Sequence, residues 1–137
     1  MQSMLINGEA REASSGARIE VSDPANLEIL DSVPAAGAED VNRAVEAAGR
    51  AFLGWSALVA NERASMLHEI GVRMREHQAA LIDLLTREEG KPRVENEEEV
   101  EWSANTFDYY AELGRHEVGQ VLPPGASSQF NFTLKEP

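Results

Sequence analysis

The sequence predicts an α/β chain: a small hairpin and short strands over residues 1–35, four helices over 38–115, and a terminal strand over 127–135. Three patterns carry this reading. Apolar and polar residues alternate near both ends, the period-two signature of strands. Between them, apolar residues recur three and four apart, as in helices that bury one stripe. Asn, Gly and Pro punctuate the joints.

Taken in order, Leu5-Ile6-Asn7-Gly8-Glu9-Ala10-Arg11 reads as a hairpin, because Asn-Gly accepts positive φ at both positions of a type I′ turn. Residues 18–22 alternate like a strand. Asp23-Pro24-Ala25-Asn26 is a turn, and 28–33 gives a second strand. A first helix spans 38–55, with Val41, Ala44, Val45, Ala48, Phe52 and Trp55 on one stripe. Asn61 is the expected N-cap of a second helix, whose buried face carries Leu67, Ile70 and Met74. A third, over 78–88, carries Leu81, Ile82, Leu84 and Leu85. Gly90 suits the left-handed position after it, and Pro92 follows where a helix cannot continue.

The fourth helix, over 94–113, has two apolar stripes: Val100, Ala104, Phe107 and Ala111 on one side, Trp102, Thr106, Tyr109 and Leu113 on the other. One stripe suffices for a surface helix, so this one is expected to pack on both sides. Residues 119–125 form a turn-rich loop. Phe130, Phe132 and Leu134 then share one face of the terminal strand, which has no expected hairpin partner and would need covering by another segment or subunit.

The 137 residues are 42% hydrophobic and 26% charged, a globular composition of one-domain size. A formal net charge of −12 argues against nucleic acid and against anionic membrane surfaces, both of which need clustered Lys and Arg. There is no cysteine, so disulfides, thiolate metal sites and a cysteine nucleophile are excluded within these residues. No segment is apolar enough to span a bilayer and no secretory signal is visible, so the expected location is the cytoplasm. The sequon at Asn131-Phe132-Thr133 therefore reads as chance.

Catalytic patterns are absent. His68, His77 and His116 have no metal-ligand spacing and read as solvent-facing or capping residues. Glu88, Glu89, Glu95, Glu97, Glu98, Glu99 and Glu101 crowd the start of the fourth helix, where the macrodipole favours carboxylates. There is no G-x-G-x-x-G, no G-x-x-x-x-G-K-[ST] and no G-x-S-x-G.

A set of short stretches nevertheless occurs in a definite order: Ile6-Asn7-Gly8-Glu9, Asp23-Pro24-Ala25-Asn26, residues 40–48, Ala51-Phe52-Leu53-Gly54-Trp55-Ser56, Glu62-Arg63-Ala64, residues 86–92, Phe107-Asp108-Tyr109-Tyr110-Ala111 and Thr133-Leu134-Lys135-Glu136-Pro137. Together they resemble the N-terminal segment of the aldehyde dehydrogenase superfamily, over nearly the whole chain. The resemblance implies that residues 1–137 are the N-terminal part of an aldehyde dehydrogenase-like cofactor-binding domain, about the first quarter of such an enzyme. The oxyanion-hole asparagine, the cofactor-binding lysine and glycine loop, the general-base glutamate and the nucleophilic cysteine are expected beyond Pro137. NAD or NADP and a small-molecule aldehyde are implied for the full-length enzyme, with neither catalytic nor cofactor-binding residues in this chain. The resemblance assigns the Val21 and Ser22 carbonyls and the Glu88 carboxylate to a structural monovalent cation, although Glu88 also reads as a plain helix-end charge. It makes Glu99 and Trp102 lining residues of a substrate tunnel, with a core role equally open for Trp102. It also implies a homodimer or homotetramer formed through the 129–134 strand, from Gln129 to Leu134. The alternative is a non-catalytic acidic helical interaction module derived from that family.

Overall fold

The computed structural model describes residues 2–116 and 118–135, so Glu136 and Pro137 of the last family-like stretch lie outside the described residues. Among the described residues, three two-stranded antiparallel ribbons flank four helices. The first ribbon joins β1 (Met4–Ile6) to β2 (Glu9–Arg11). Asn7 at φ 55° and Gly8 at φ 77° make the expected turn between them, and the register pairs Ile6 with Glu9. The second ribbon joins β3 (Arg18–Ser22) to β4 (Ile29–Pro34), with an irregularity between Val21 and Ser22 that leaves Leu30 without an opposite residue. The intervening turn is closed by Asp23, whose carboxylate accepts from the Ala25 N–H at 2.8 Å and whose carbonyl accepts from the Leu27 N–H at 2.7 Å.

Helix α1 (Ala38–Ala57) starts from Gly37. Its N-terminus is fixed by Asp40, which is almost wholly buried. The Asp40 carboxylate accepts from the Gly37 N–H at 3.0 Å, the Ser14 N–H at 3.1 Å and the Ser14 hydroxyl at 2.5 Å. The Ser14 hydroxyl and the two N–H groups hold the Asp40 carboxyl below its usual pKa. This clamp ties the segment between the first two ribbons to the start of α1. The face of α1 turned inward is Asp40 and Ala47, with Ile6 of β1 buried nearby.

The expected apolar stripe of α1 is therefore not its buried face. Val41, Phe52 and Trp55 are exposed, and Val45 is 65% exposed. Among the described residues the principal element that α1 contacts is the short strand β1, which is too small to cover a five-turn stripe.

Helix α2 (Ala60–Glu76) begins at Val59 and not at Asn61, which lies in its first turn. Glu62 reaches back to accept from the Val59 N–H at 3.2 Å, so a carboxylate inside the helix, and not Asn61, holds its start. Helix α4 (Arg93–His116) lies against α2 along the most extensive interface of the chain, and α3 (Gln78–Glu89) packs on α4 beside it. The contact is made by small residues: Ala64 and Gly71 from α2, Ala104 and Ala111 from α4, all buried. At Gly71 a Cβ would stand 3.2 Å from the Ala104 carbonyl oxygen, so the two backbones nearly touch. Ile82 and Val100 complete the core. Leu67 and Met74 are half-buried as their spacing predicts, whereas Ile70 and Leu84 face outward.

The terminal strand has a partner after all. β5 (Val121–Leu122), inside the predicted loop, pairs with β6 (Asn131–Phe132), the paired part of the predicted 127–135 strand. Sequence reading missed β5 because two residues beside Pro123-Pro124 carry no alternation to detect. Phe130 and Phe132 still stack on an open face, with ring centroids 5.8 Å apart.

Gly90 ends α3 at φ 72°, and a Cβ there would lie 2.6 Å from Cγ of Pro24. A Gly90→Ala substitution is thus strained in backbone and in packing. It should lower the unfolding free energy by about 1–3 kcal/mol, measured as a fall in urea midpoint with an unchanged denaturant slope.

Candidate functional site

The second stripe of α4 is where the fold leaves chemistry accessible. Trp102, Tyr109 and Tyr110 are exposed, Trp102 by 67%. Tyr109 and Tyr110 meet edge to face at 5.2 Å. Along this side runs an open groove of about 670 Å³ lined by Lys91, Glu95, Glu98, Glu99, Trp102 and Thr106 among others. Lys91 forms an ion pair with Glu99, which raises the lysine pKa, so this Glu99 carboxylate is already engaged. The two tunnel residues expected from sequence, Glu99 and Trp102, therefore share one groove, and Trp102 is not a core residue in this chain.

Val21, Ser22 and Glu88 lie on segments that meet elsewhere. The 23–26 turn directly after Ser22 rests on Gly90 through Pro24, two residues beyond Glu88. Val21 and Ser22 flank the irregularity in the β3–β4 register, and Glu88 is exposed on the last turn of α3. Among the described residues no group of three or more His, Asp or Glu side chains is placed to hold a metal ion.

Asn96, at the first turns of α4, is 0% exposed. Its amide nitrogen donates to the Thr86 hydroxyl at 3.0 Å, while its Oδ1 has no partner among the described residues. It ties the end of α3 to the start of α4 inside the stretch around Gly90.

The arrangement that sequence reasoning missed is a charged cluster at the α2–α4 interface. His68 of α2 sits between two carboxylates of α4: Nδ1–H donates to Asp108 at 2.6 Å and Nε2–H to Glu112 at 2.7 Å. Arg75 donates to the other Asp108 oxygen at 2.8 Å and to the Asn105 carbonyl at 2.7 Å. The sequence points to a solvent-facing or capping role for His68, whereas the residue is half-buried and bridging. A signal existed: Asp108 and Glu112 stand four apart on one helix, and His68 and Arg75 seven apart on another, so each pair shares a face. What was lacking was knowledge that those faces meet.

With a carboxylate at each ring nitrogen, only the imidazolium donates both hydrogen bonds. Bonds to Glu112 and Asp108 accordingly raise the His68 pKa above its ordinary 6.5. His68 in turn lowers Glu112, and His68 with Arg75 lowers Asp108. The cluster fastens two helices, and it extends through Arg115 on Glu112 and Glu101 beside Arg75.

At the α1 N-terminus the Asp40 carboxylate accepts from the Gly37 N–H, and Glu95, Glu98 and Glu99 line the groove near the start of α4. Among the described residues, no helix is long and apolar enough to cross a membrane.

The sequence profile of the aldehyde dehydrogenase family matches residues 11–137. The chain belongs to that family. The Escherichia coli succinate-semialdehyde dehydrogenase [NADP(+)] is 39% identical over 136 residues, which cover 99% of this chain and 28% of that enzyme. A glutarate-semialdehyde dehydrogenase of Pseudomonas putida is 35% identical over the same share of each chain. Among solved structures, an E. coli NADP-dependent enzyme superposes with a TM-score of 0.94 at 39% identity, covering 96% of this chain and 27% of its own. A Staphylococcus aureus betaine aldehyde dehydrogenase in complex with NAD+ gives 0.95 at 30%, covering 99% and 27%. The chain thus has the fold of the N-terminal part of aldehyde dehydrogenases and spans 28% of the length of the curated relatives just described.

The His68 cluster gives a pH dependence with a definite sign. A raised native pKa means that protonated His68 stabilises the fold fully below about pH 6.5, and that this contribution disappears as pH climbs through the higher native value. Thermal melts taken from pH 6 to about pH 9 should fall with pH in the native chain and fall less in His68→Gln.

Proposed function

We propose that this chain is the scaffold portion of an NAD(P)-dependent aldehyde dehydrogenase, which oxidises an aldehyde to a carboxylic acid, and that it is inactive by itself. One observation carries the reading: a chain that matches the family from residue 11 onward contains no cysteine to serve as the nucleophile. NAD or NADP accepts the hydride in such an enzyme. On this reading the residues of this chain hold neither that cofactor nor the reacting thiol. Their part is mechanical: α2, α3 and α4 form a rigid block, and the open side of α4 forms one wall of the path to the reaction centre.

Glu99 and Trp102 are the residues of that wall that would meet the aldehyde. The semialdehyde enzymes among the relatives support a short aliphatic or semialdehyde substrate. The Val21 and Ser22 carbonyls and the Glu88 carboxylate are hard oxygen donors suited to a structural monovalent cation. The open apolar face around Phe130 and Phe132 is proposed to join a neighbouring subunit in a homodimer or homotetramer, with the cytoplasm as the site of action. The aldehyde dehydrogenase reading assigns no role to nucleic acid or membrane.

The test is direct. Purified chain mixed with NAD or NADP and a panel of short aldehydes and semialdehydes should give no nicotinamide reduction above a protein-free blank. Sustained reduction by pure chain would contradict the proposal. The second reading, a non-catalytic acidic interaction module, is favoured by the charged α2–α4 cluster that fastens two helices within the chain. It requires a single sharp peak in size-exclusion chromatography and a cooperative near-ultraviolet melt, where the scaffold reading requires association or loose packing.

A further inference from the structure

We propose that Asn7 is a spontaneous deamidation site, built into the β1–β2 turn, that converts to isoaspartate in the folded chain. The chemistry needs a backbone nitrogen that can reach the preceding side-chain amide carbon unhindered. Of the seven asparagines, only Asn7 is followed by glycine. Both Asn7 and Gly8 are exposed, and a Cβ added at Gly8 would meet nothing within 4 Å, so the approach is open. The Asn7 amide forms no hydrogen bond among the described residues.

Each other asparagine is protected in a visible way. Asn42, Asn61, Asn96 and Asn105 lie within helices, where the next residue's N–H is committed to the ladder and its side chain crowds the approach. Asn26 is held by Glu28, whose N–H it accepts at 2.9 Å. Asn131 precedes Phe132 in β6, and its amide leans on the Pro123 carbonyl at 3.4 Å.

The step balances without an outside reagent except water. The Gly8 nitrogen attacks Cγ of Asn7, an N–C bond forms, the Cγ–Nδ2 bond breaks, and the nitrogen leaves as ammonia carrying the Gly8 proton. Water then opens the cyclic imide. Opening at Cγ gives aspartate. Opening at the main-chain carbonyl gives isoaspartate, with one extra carbon in the backbone. That carbon falls inside a two-residue turn whose register sets Ile6 opposite Glu9, and Ile6 is the β1 residue buried beside α1. Conversion would therefore loosen the strand that α1 rests on, and it would add a negative charge to an acidic chain.

The experiment is a timed incubation of the full native chain at mildly alkaline pH, followed by peptide mapping that separates asparagine, aspartate and isoaspartate. The expected result is loss of the amide at Asn7 ahead of all six others, with isoaspartate among the products, and no such loss at this position in Asn7→Gln. A parallel sample in urea supplies the control for folding. If the folded chain keeps Asn7 intact while the denatured chain loses it, or if another asparagine converts first, the proposal is overturned.

Discussion

The rest of the structure depends on the close approach of α2 and α4. Gly71 sets how near the backbones come, because any side chain there would press on the Ala104 carbonyl and on Asp108. Ala64, Ala104 and Ala111 keep the remainder of the seam equally thin. Dispersion across such a seam is strong per unit area, and leaving out methylenes avoids strain. Small residues alone do not fix a register, however, and here the charged cluster takes over. His68 and Arg75 reach from one helix to Asp108, Glu112 and Asn105 of the other, and these bonds tie the two helices in the observed rotational setting.

That setting decides which face of α4 is turned outward. With Val100, Ala104 and Ala111 committed to α2 and α3, Trp102, Tyr109 and Tyr110 must point away. The groove and the aromatic surface are thus consequences of the seam. Similar logic applies to α1. The Asp40 clamp on Ser14 and Gly37 turns that helix by its first residues, and the apolar stripe beginning at Val41 ends up facing open space. Two outward apolar stripes on otherwise well-formed helices are what the N-terminal block of a larger family fold looks like when seen by itself, and the superposition on 27% of much longer relatives agrees.

Much of this was legible in the sequence, and the failures have physical causes. The Asn7-Gly8 turn, the Gly90 helix end and the inner stripe of α4 are local or periodic features, and each was found where backbone chemistry demanded it. The double-sided character of α4 was visible as two stripes in one helix. The burial of α1 was misread because periodicity says which residues share a face and never says whether a partner exists for it. The start of α2 differs from the expected one because Asn61 is a good cap by type, while the helix starts from Val59 with Glu62 reaching back to it. The His68 cluster is not legible for a further reason: its paired members lie 33 to 44 residues apart on two helices, and only their packing makes them one object.

The central claim is that stability resides in the α2–α4 seam, with α1 and the β5–β6 ribbon held weakly because their apolar faces are uncovered. Native-state hydrogen exchange tests it most directly. The account predicts slowest exchange for amides around Gly71 and Ala104, and exchange near local fraying rates for the outer turns of α1 and for β5–β6. Protection in α1 equal to that of α4 would contradict it.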